Sequence, residues 1–268
     1  FFLGKETTEP PPTYFLIYFA VTTPVAVLGA SVLGLLRFGL ARQTASAVPP
    51  GEDDPRWPRW VQRVGVGQVT VLAWFVIPFV MLLSPVVQDG VRYIYPALIA
   101  SCVVAAAGID WLVGLLGARL SARLRAALTH VAVAAAVVAT GTSAVRIHPY
   151  YLDYYNVLSG GPQKVARERL FEIAWWGEGL AEAVDHLNRV AARNATVRFK
   201  ANPTHVVQPR PDLVLVHHDH PDYIVYNRLG TSELKNKQDY RLIYTVSARG
   251  AALAEVYQRR PRPSSEQR

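Results

Sequence analysis

The chain has 268 residues, 51% of them hydrophobic and 18% charged, with a formal net charge of +8. That length suits one large domain or two smaller ones, and a single cysteine, Cys102, excludes a disulfide scaffold. Apolar residues crowd the first half, whereas most charged residues, Asn and His follow Arg146. The split predicts a membrane half and a water-soluble half.

The chain opens on FFLG, which reads as the tail of an earlier apolar segment. The expectation is therefore a C-terminal part of a longer membrane protein. Lys5-Glu6 and a proline run, Pro10-Pro11-Pro12, precede the first apolar stretch. This stretch is too long for a signal peptide, and no small-residue cleavage site follows it. Four stretches are each long enough to cross a bilayer, which takes roughly 20 mostly apolar residues. They cover about 14–36, 64–86, 93–116 and 126–145, and Asp110 in the third is the clearest isolated charge.

Between the first two stretches, residues 37–63 carry Arg37, Arg42, Arg56, Arg59 and Arg63, with Trp57 and Trp60 suited to the headgroup interface. The short loop after the third stretch carries Arg119, Arg123 and Arg125. With four crossings these two loops fall on one side, and the positive-inside rule makes both cytoplasmic. Residues 1–13, the 88–92 hairpin and everything after Arg146 then lie outside. This use of basic charge removes the need for a nucleic-acid partner.

Beyond the fourth stretch, Tyr150, Tyr151, Tyr154 and Tyr155 mark the exit from the bilayer, and Gly160-Gly161-Pro162 reads as a turn. Leu180, Ala183, Val184 and Leu187 share one helical face over 180–192. Strand-like runs follow at 196–199, 213–216, 223–226 and 240–246, the last continued by AALAEVYQR. The predicted architecture is an α-helical transmembrane bundle of four spans over 1–146, followed by a small extracytoplasmic α/β domain over 147–258. Residues 259–268 read as a disordered tail.

His217-His218-Asp219-His220 suggests a metal site, but neighbours on an extended chain face opposite ways. Only His218 and His220 converge, with His205 as the spare ligand. No motif demands a cofactor, and a divalent metal is the one open candidate. Asn194-Ala195-Thr196 fits a glycosylation sequon. No phosphate loop, nucleophile elbow or Cys-His arrangement is present. Two outward-facing polar features remain: Lys5-Glu6, and Asp89-Gly90-Val91-Arg92-Tyr93. A Lys and an Arg there suit the phosphate of a membrane lipid, and equally suit plain snorkelling to headgroups.

Several motifs occur together in order. They are Lys5…Pro11-Pro12-Thr13-Tyr14 with Thr23-Pro24, Asp89-Gly90-Val91-Arg92-Tyr93…Pro96, His148-Pro149-Tyr150-Tyr151-Leu152-Asp153-Tyr154-Tyr155-Asn156, and Trp176-Gly177-Glu178-Gly179. The pattern resembles polytopic glycosyltransferases of the family 39 type in the GT-C superfamily, akin to protein O-mannosyltransferases and aminoarabinose transferases. The resemblance implies transfer of a sugar from a polyprenyl-phosphate donor to a glycan or protein acceptor, on the outer face of the plasma membrane. It implies that Arg92 and Lys5 contact the lipid phosphate, that Tyr93 orients the carrier and that Asp89 holds Arg92. The family's catalytic carboxylate lies in a first outer loop that no segment here matches, and Trp175-Trp176-Gly177-Glu178-Gly179 lacks the aspartates usual in relatives. The competing expectation is a non-catalytic membrane protein whose spans anchor an outer binding domain.

Overall fold

The computed structural model describes residues 2–7, 9, 11–44, 66–81, 90–217, 220–227, 234 and 236–261. Two compact units form. A helical unit comprises Glu9–Arg146 with Asn156–Leu158, and a C-terminal unit comprises Phe1–Thr8, Ile147–Tyr155 and Ser159–Arg268.

The helical unit contains α1 (Tyr14–Thr22), α2 (Val25–Thr44), α3 (Val66–Met81), α4 (Tyr95–Leu116) and α5 (Ala122–Ile147). The first apolar run, read from sequence as one span, is two helices. Thr23 is extended (φ −81°, ψ 134°) because the residue before a proline is pushed out of the helical region, and Pro24 offers no N–H. Such a break strands backbone carbonyls. Asn156 satisfies them, its Nδ2 donating to the carbonyls of Ala20 and Thr23 at 2.7 Å each and its backbone N–H to Val21 at 2.8 Å. Aromatic rings then seat α1 against α3, with Phe19 edge-on to Phe75 and Phe79 at centroid distances of 5.7 and 5.6 Å.

Small residues join α2 to α4. A Cβ on Gly34 would fall onto the Val104 carbonyl, and one on Gly108 onto the Ala30 carbonyl, so only glycine lets the two backbones approach this closely. Beside that crossing the buried Ser31 hydroxyl donates to the Ser101 carbonyl at 2.9 Å. Two helices, Arg92–Leu116 and Ala122–Ile147, are long and apolar enough to cross a membrane. The apolar parts of the other two expected spans are shorter, Val25–Gly39 and Gly67–Val80. Residues 45–65 and 82–89, with Trp57, Trp60 and Asp89, lie outside the described residues.

The C-terminal unit contains α6 (Gly161–Glu168), α7 (Leu180–Val190) and strands β1 (Thr196–Lys200), β2 (Val214–Leu215), β3 (Tyr223–Asn227), β4 (Tyr240–Ala248) and β5 (Ala251–Arg259). The sheet is mixed, in the order β2-β1-β3-β5-β4. β1 runs parallel to β2 and β3, and the β4–β5 hairpin pairs antiparallel with β3. Arg249 and Gly250 both take positive φ, as the tight turn of a twisted hairpin requires. α7 lays Leu180, Ala183, Val184 and Leu187 onto Val197, Val225, Val246 and Val256. Arg259 closes β5 and Arg260 donates its N–H to the Asp239 carbonyl at 2.8 Å, so order reaches two residues into the segment expected to be a tail. The rest of that segment, 262–268, is not described.

Candidate functional site

The first candidate sits where a short 3-10 turn, Gly90–Ile94, feeds α4, with Pro96 setting the helix start. Arg92 is exposed, and its guanidinium lies 4.9 Å from the centre of the Tyr93 ring. Its Nη2 donates to the Tyr93 hydroxyl at 3.1 Å. The Tyr93 ring in turn meets the buried Phe15 of α1 edge-on, at 90° and 6.4 Å. A cation is thus held on an aromatic platform at the mouth of the helices, with the planar fork that suits phosphate and carboxylate oxygens. Tyr93 thus contacts Arg92 directly, and Asp89, to which sequence reading gave the role of holding Arg92, lies outside the described residues. Lys5 belongs to the other unit, in a tight turn where Phe2 and Lys5 exchange backbone hydrogen bonds of 2.8 and 3.1 Å. Its side chain is exposed.

A second polar cluster lies inside the C-terminal unit. Asp153 is only 2% exposed, and its Oδ1 accepts the Ala174 N–H at 2.7 Å. Asn227, fully buried on β3, donates Nδ2 to the carbonyls of Asn202 at 2.9 Å and Ala174 at 3.4 Å. Both ends of the Ala174 residue are therefore gripped by buried polar side chains. Ala174 needs the grip, because it holds a φ of +59° that a residue with a Cβ disfavours. Burial pushes the Asp153 carboxyl up to about 7, with the nearby Glu178 adding to the rise against the Ala174 hydrogen bond. Tyr150 donates to Glu182 Oε1 at 2.7 Å, and burial together with that carboxylate raises its ionisation well above the ordinary tyrosine range.

The cluster fixes the loop over residues 174–179, where Glu178 Oε2 accepts the Trp176 N–H at 2.9 Å and the Trp176 side chain is half exposed. Asp153 is enclosed and tied to Ala174, so it positions this loop and has no open face for a substrate. Sequence reading quoted Asp153 and Asn156 only as letters of a motif. A carboxylate or an amide amid YYLDYYN is itself a signal, since a polar group among so many rings must find a built partner.

Asp110 has a partner too: Arg37 Nη1 lies 3.3 Å from Asp110 Oδ2 and 3.0 Å from the Ala107 carbonyl. Among the described residues no group of three His, Cys, Asp or Glu side chains can hold a metal ion. His218 and Asp219 of the histidine run lie outside those residues. No family model, curated protein or solved structure matched the chain.

Proposed function

We propose that the chain is part of an integral-membrane glycosyltransferase that moves a sugar from a polyprenyl-phosphate donor to an acceptor on the outer face of the membrane. The observation that carries the reading is the Arg92–Tyr93–Phe15 stack at the start of the apolar helix Arg92–Leu116. A guanidinium fixed at the end of a membrane-length helix stands at headgroup depth, where a lipid phosphate lies. All four apolar runs then contribute to a multi-pass bundle, with α1 and α2 as one broken crossing. The arginine-rich turn Arg119, Arg123, Arg125 sits at the far end of α4 from Arg92, so the positive-inside rule puts Arg92 outside. The ordered motifs supply the substrate class.

In this scheme the acceptor hydroxyl attacks the anomeric carbon while the carbon–oxygen bond to the phosphate breaks, leaving the polyprenyl phosphate with the extra negative charge. A carboxylate takes the acceptor proton, and none of the residues assigned here supplies it. Arg92 stabilises the departing phosphate as its charge grows. Membranes carrying the complete protein, incubated with polyprenyl phosphate bearing a labelled sugar, test the reading. Release of label onto an acceptor is expected, and Arg92→Ala lowers the rate about 10²-fold, in the range seen when one preorganised donor is removed. Unchanged transfer by Arg92→Ala would remove Arg92 from the phosphate site.

A further inference from the structure

Helices α4 and α5 leave a gap along their length. Toward the turn that joins them, a cleft of about 520 Å³ is lined by Arg37, Asp110, Trp111, Arg125, Thr129 and His130. The next stretch of the same two helices, with α2, lines a second cleft of about 390 Å³ walled by Ala30, Ala105, Ile109, Val133, Ala136 and Val137. Ile109 and Asp110 are neighbours on α4, and His130 lies within one turn of Val133 on α5. The two clefts therefore follow one another along a single gap, polar at one end and apolar beyond. Each falls in the range of roughly 300–1,000 Å³ usual for small-molecule sites.

We propose that this gap binds an anionic phospholipid of the bilayer, with its phosphate at the polar end and an acyl chain along the apolar one. Arg37 and Arg125 bring two positive charges. Asp110 opposes them but is already paired with Arg37 at 3.3 Å, so the carboxylate offsets only one of the two guanidinium charges. Arg125 has no ion pair among the described residues. The opening turn of α5 adds the partial positive charge of a helix N-terminus, and Thr129 adds a hydroxyl donor. Trp111 supplies the amphipathic ring found at headgroup depth.

Charge complementarity decides among occupants. An apolar helix in the gap would bury Arg125 without counter-charge. A free phosphate would leave the apolar half of the gap unfilled. An anionic amphiphile satisfies both ends. The site lies about 30 Å from Arg92 by the length of the 22-residue α4, so it is separate from the proposed donor site. It rests on membrane insertion of the helical unit and not on sugar transfer.

The test uses the full chain in phosphatidylcholine vesicles, with phosphatidylglycerol or phosphatidylcholine brominated near the carbonyl end of an acyl chain. The Trp111 contribution to fluorescence is isolated as the difference from Trp111→Phe. Brominated phosphatidylglycerol should quench this component at several-fold lower mole fraction than brominated phosphatidylcholine. Arg125→Gln should cut that preference about five-fold, the effect of one cation near an anionic surface. Ala136→Phe, which fills the apolar part and spares the cations, should weaken quenching by the brominated chain. Equal quenching by both lipids, or an unchanged preference in Arg125→Gln, overturns the proposal. Relief of quenching by inorganic phosphate makes the site a free-anion site and overturns it as well. Absence of quenching by either lipid overturns membrane insertion and the lipid site together, whatever the transfer assay reports.

Discussion

The two units handle apolar side chains in opposite ways. In the C-terminal unit Leu187, Val197, Val225 and Val256 are fully buried beneath one helix and a sheet. In the helical unit Val131 and Val138 of α5 are 65 and 66% exposed, while Ala97, Ala100, Ser101 and the Gly34–Gly108 crossing fill the inside. Large residues outside and small ones inside are what apolar surroundings favour, since burial in water would reward the reverse. One chain thus carries two packing patterns.

Substitutions distinguish the two units. The largest effect concerns Asp153 of the C-terminal unit. Its carboxyl sits near 7 in the folded chain against an ordinary 3.8, so between those values the folded chain keeps a proton the unfolded chain has lost. Its contribution to stability is complete below about pH 4 and is lost as pH rises to 7, on the order of 4 kcal/mol at about 1.36 kcal/mol per unit. Urea unfolding across that range should show a stability that falls with pH, and Asp153→Asn, which keeps an acceptor for Ala174, should flatten the slope. A variant with an undiminished slope would acquit Asp153.

Next in size, Leu187→Ala opens a cavity under the sheet and should cost about 3 kcal/mol in the same measurement. Asn156→Ala should cost about 2 kcal/mol in the helical unit, by leaving the carbonyls exposed at the Thr23–Pro24 break without a donor. Val138→Ala, a deletion of similar chemistry to Leu187→Ala but on the outer face of α5, should change detergent-solubilised stability by less than about 0.5 kcal/mol. A cost for Val138→Ala approaching that of Leu187→Ala would mean α5 is packed like a soluble core helix.

Local pattern carried much of the fold. The run 93–116 became a helix of nearly the same bounds, and the run 126–145 became Ala122–Ile147, extended because Ala-Arg-Leu-Arg is helix-compatible although polar. Strands β1, β3 and β4 grow from the β-branched and aromatic runs that announced them. β5 was harder to see, because both of its faces are covered between Ala251 and Tyr257 and the alternation that marks a half-buried strand is erased. The break in the first span was written in Thr23-Pro24 but masked by the hydrophobicity around it. The site was less legible. Arg37 meets Asp110 across 73 residues, and Asp153 meets Ala174 across 21, pairings that no local periodicity encodes. Tyr93 as the partner of Arg92 was within reach, since neighbouring side chains on a 3-10 turn can stack.

Cysteine labelling tests most directly whether, as proposed, the helical unit spans the membrane with Arg92 and the C-terminal unit outside. Cys102→Ser removes the native thiol, and Ser121→Cys in the α4–α5 turn and Ser247→Cys on β4 each introduce one at an exposed position. A membrane-impermeant maleimide applied to intact cells should label Ser247→Cys fully and Ser121→Cys only after permeabilisation. Equal labelling of the two positions in intact cells would contradict this topology.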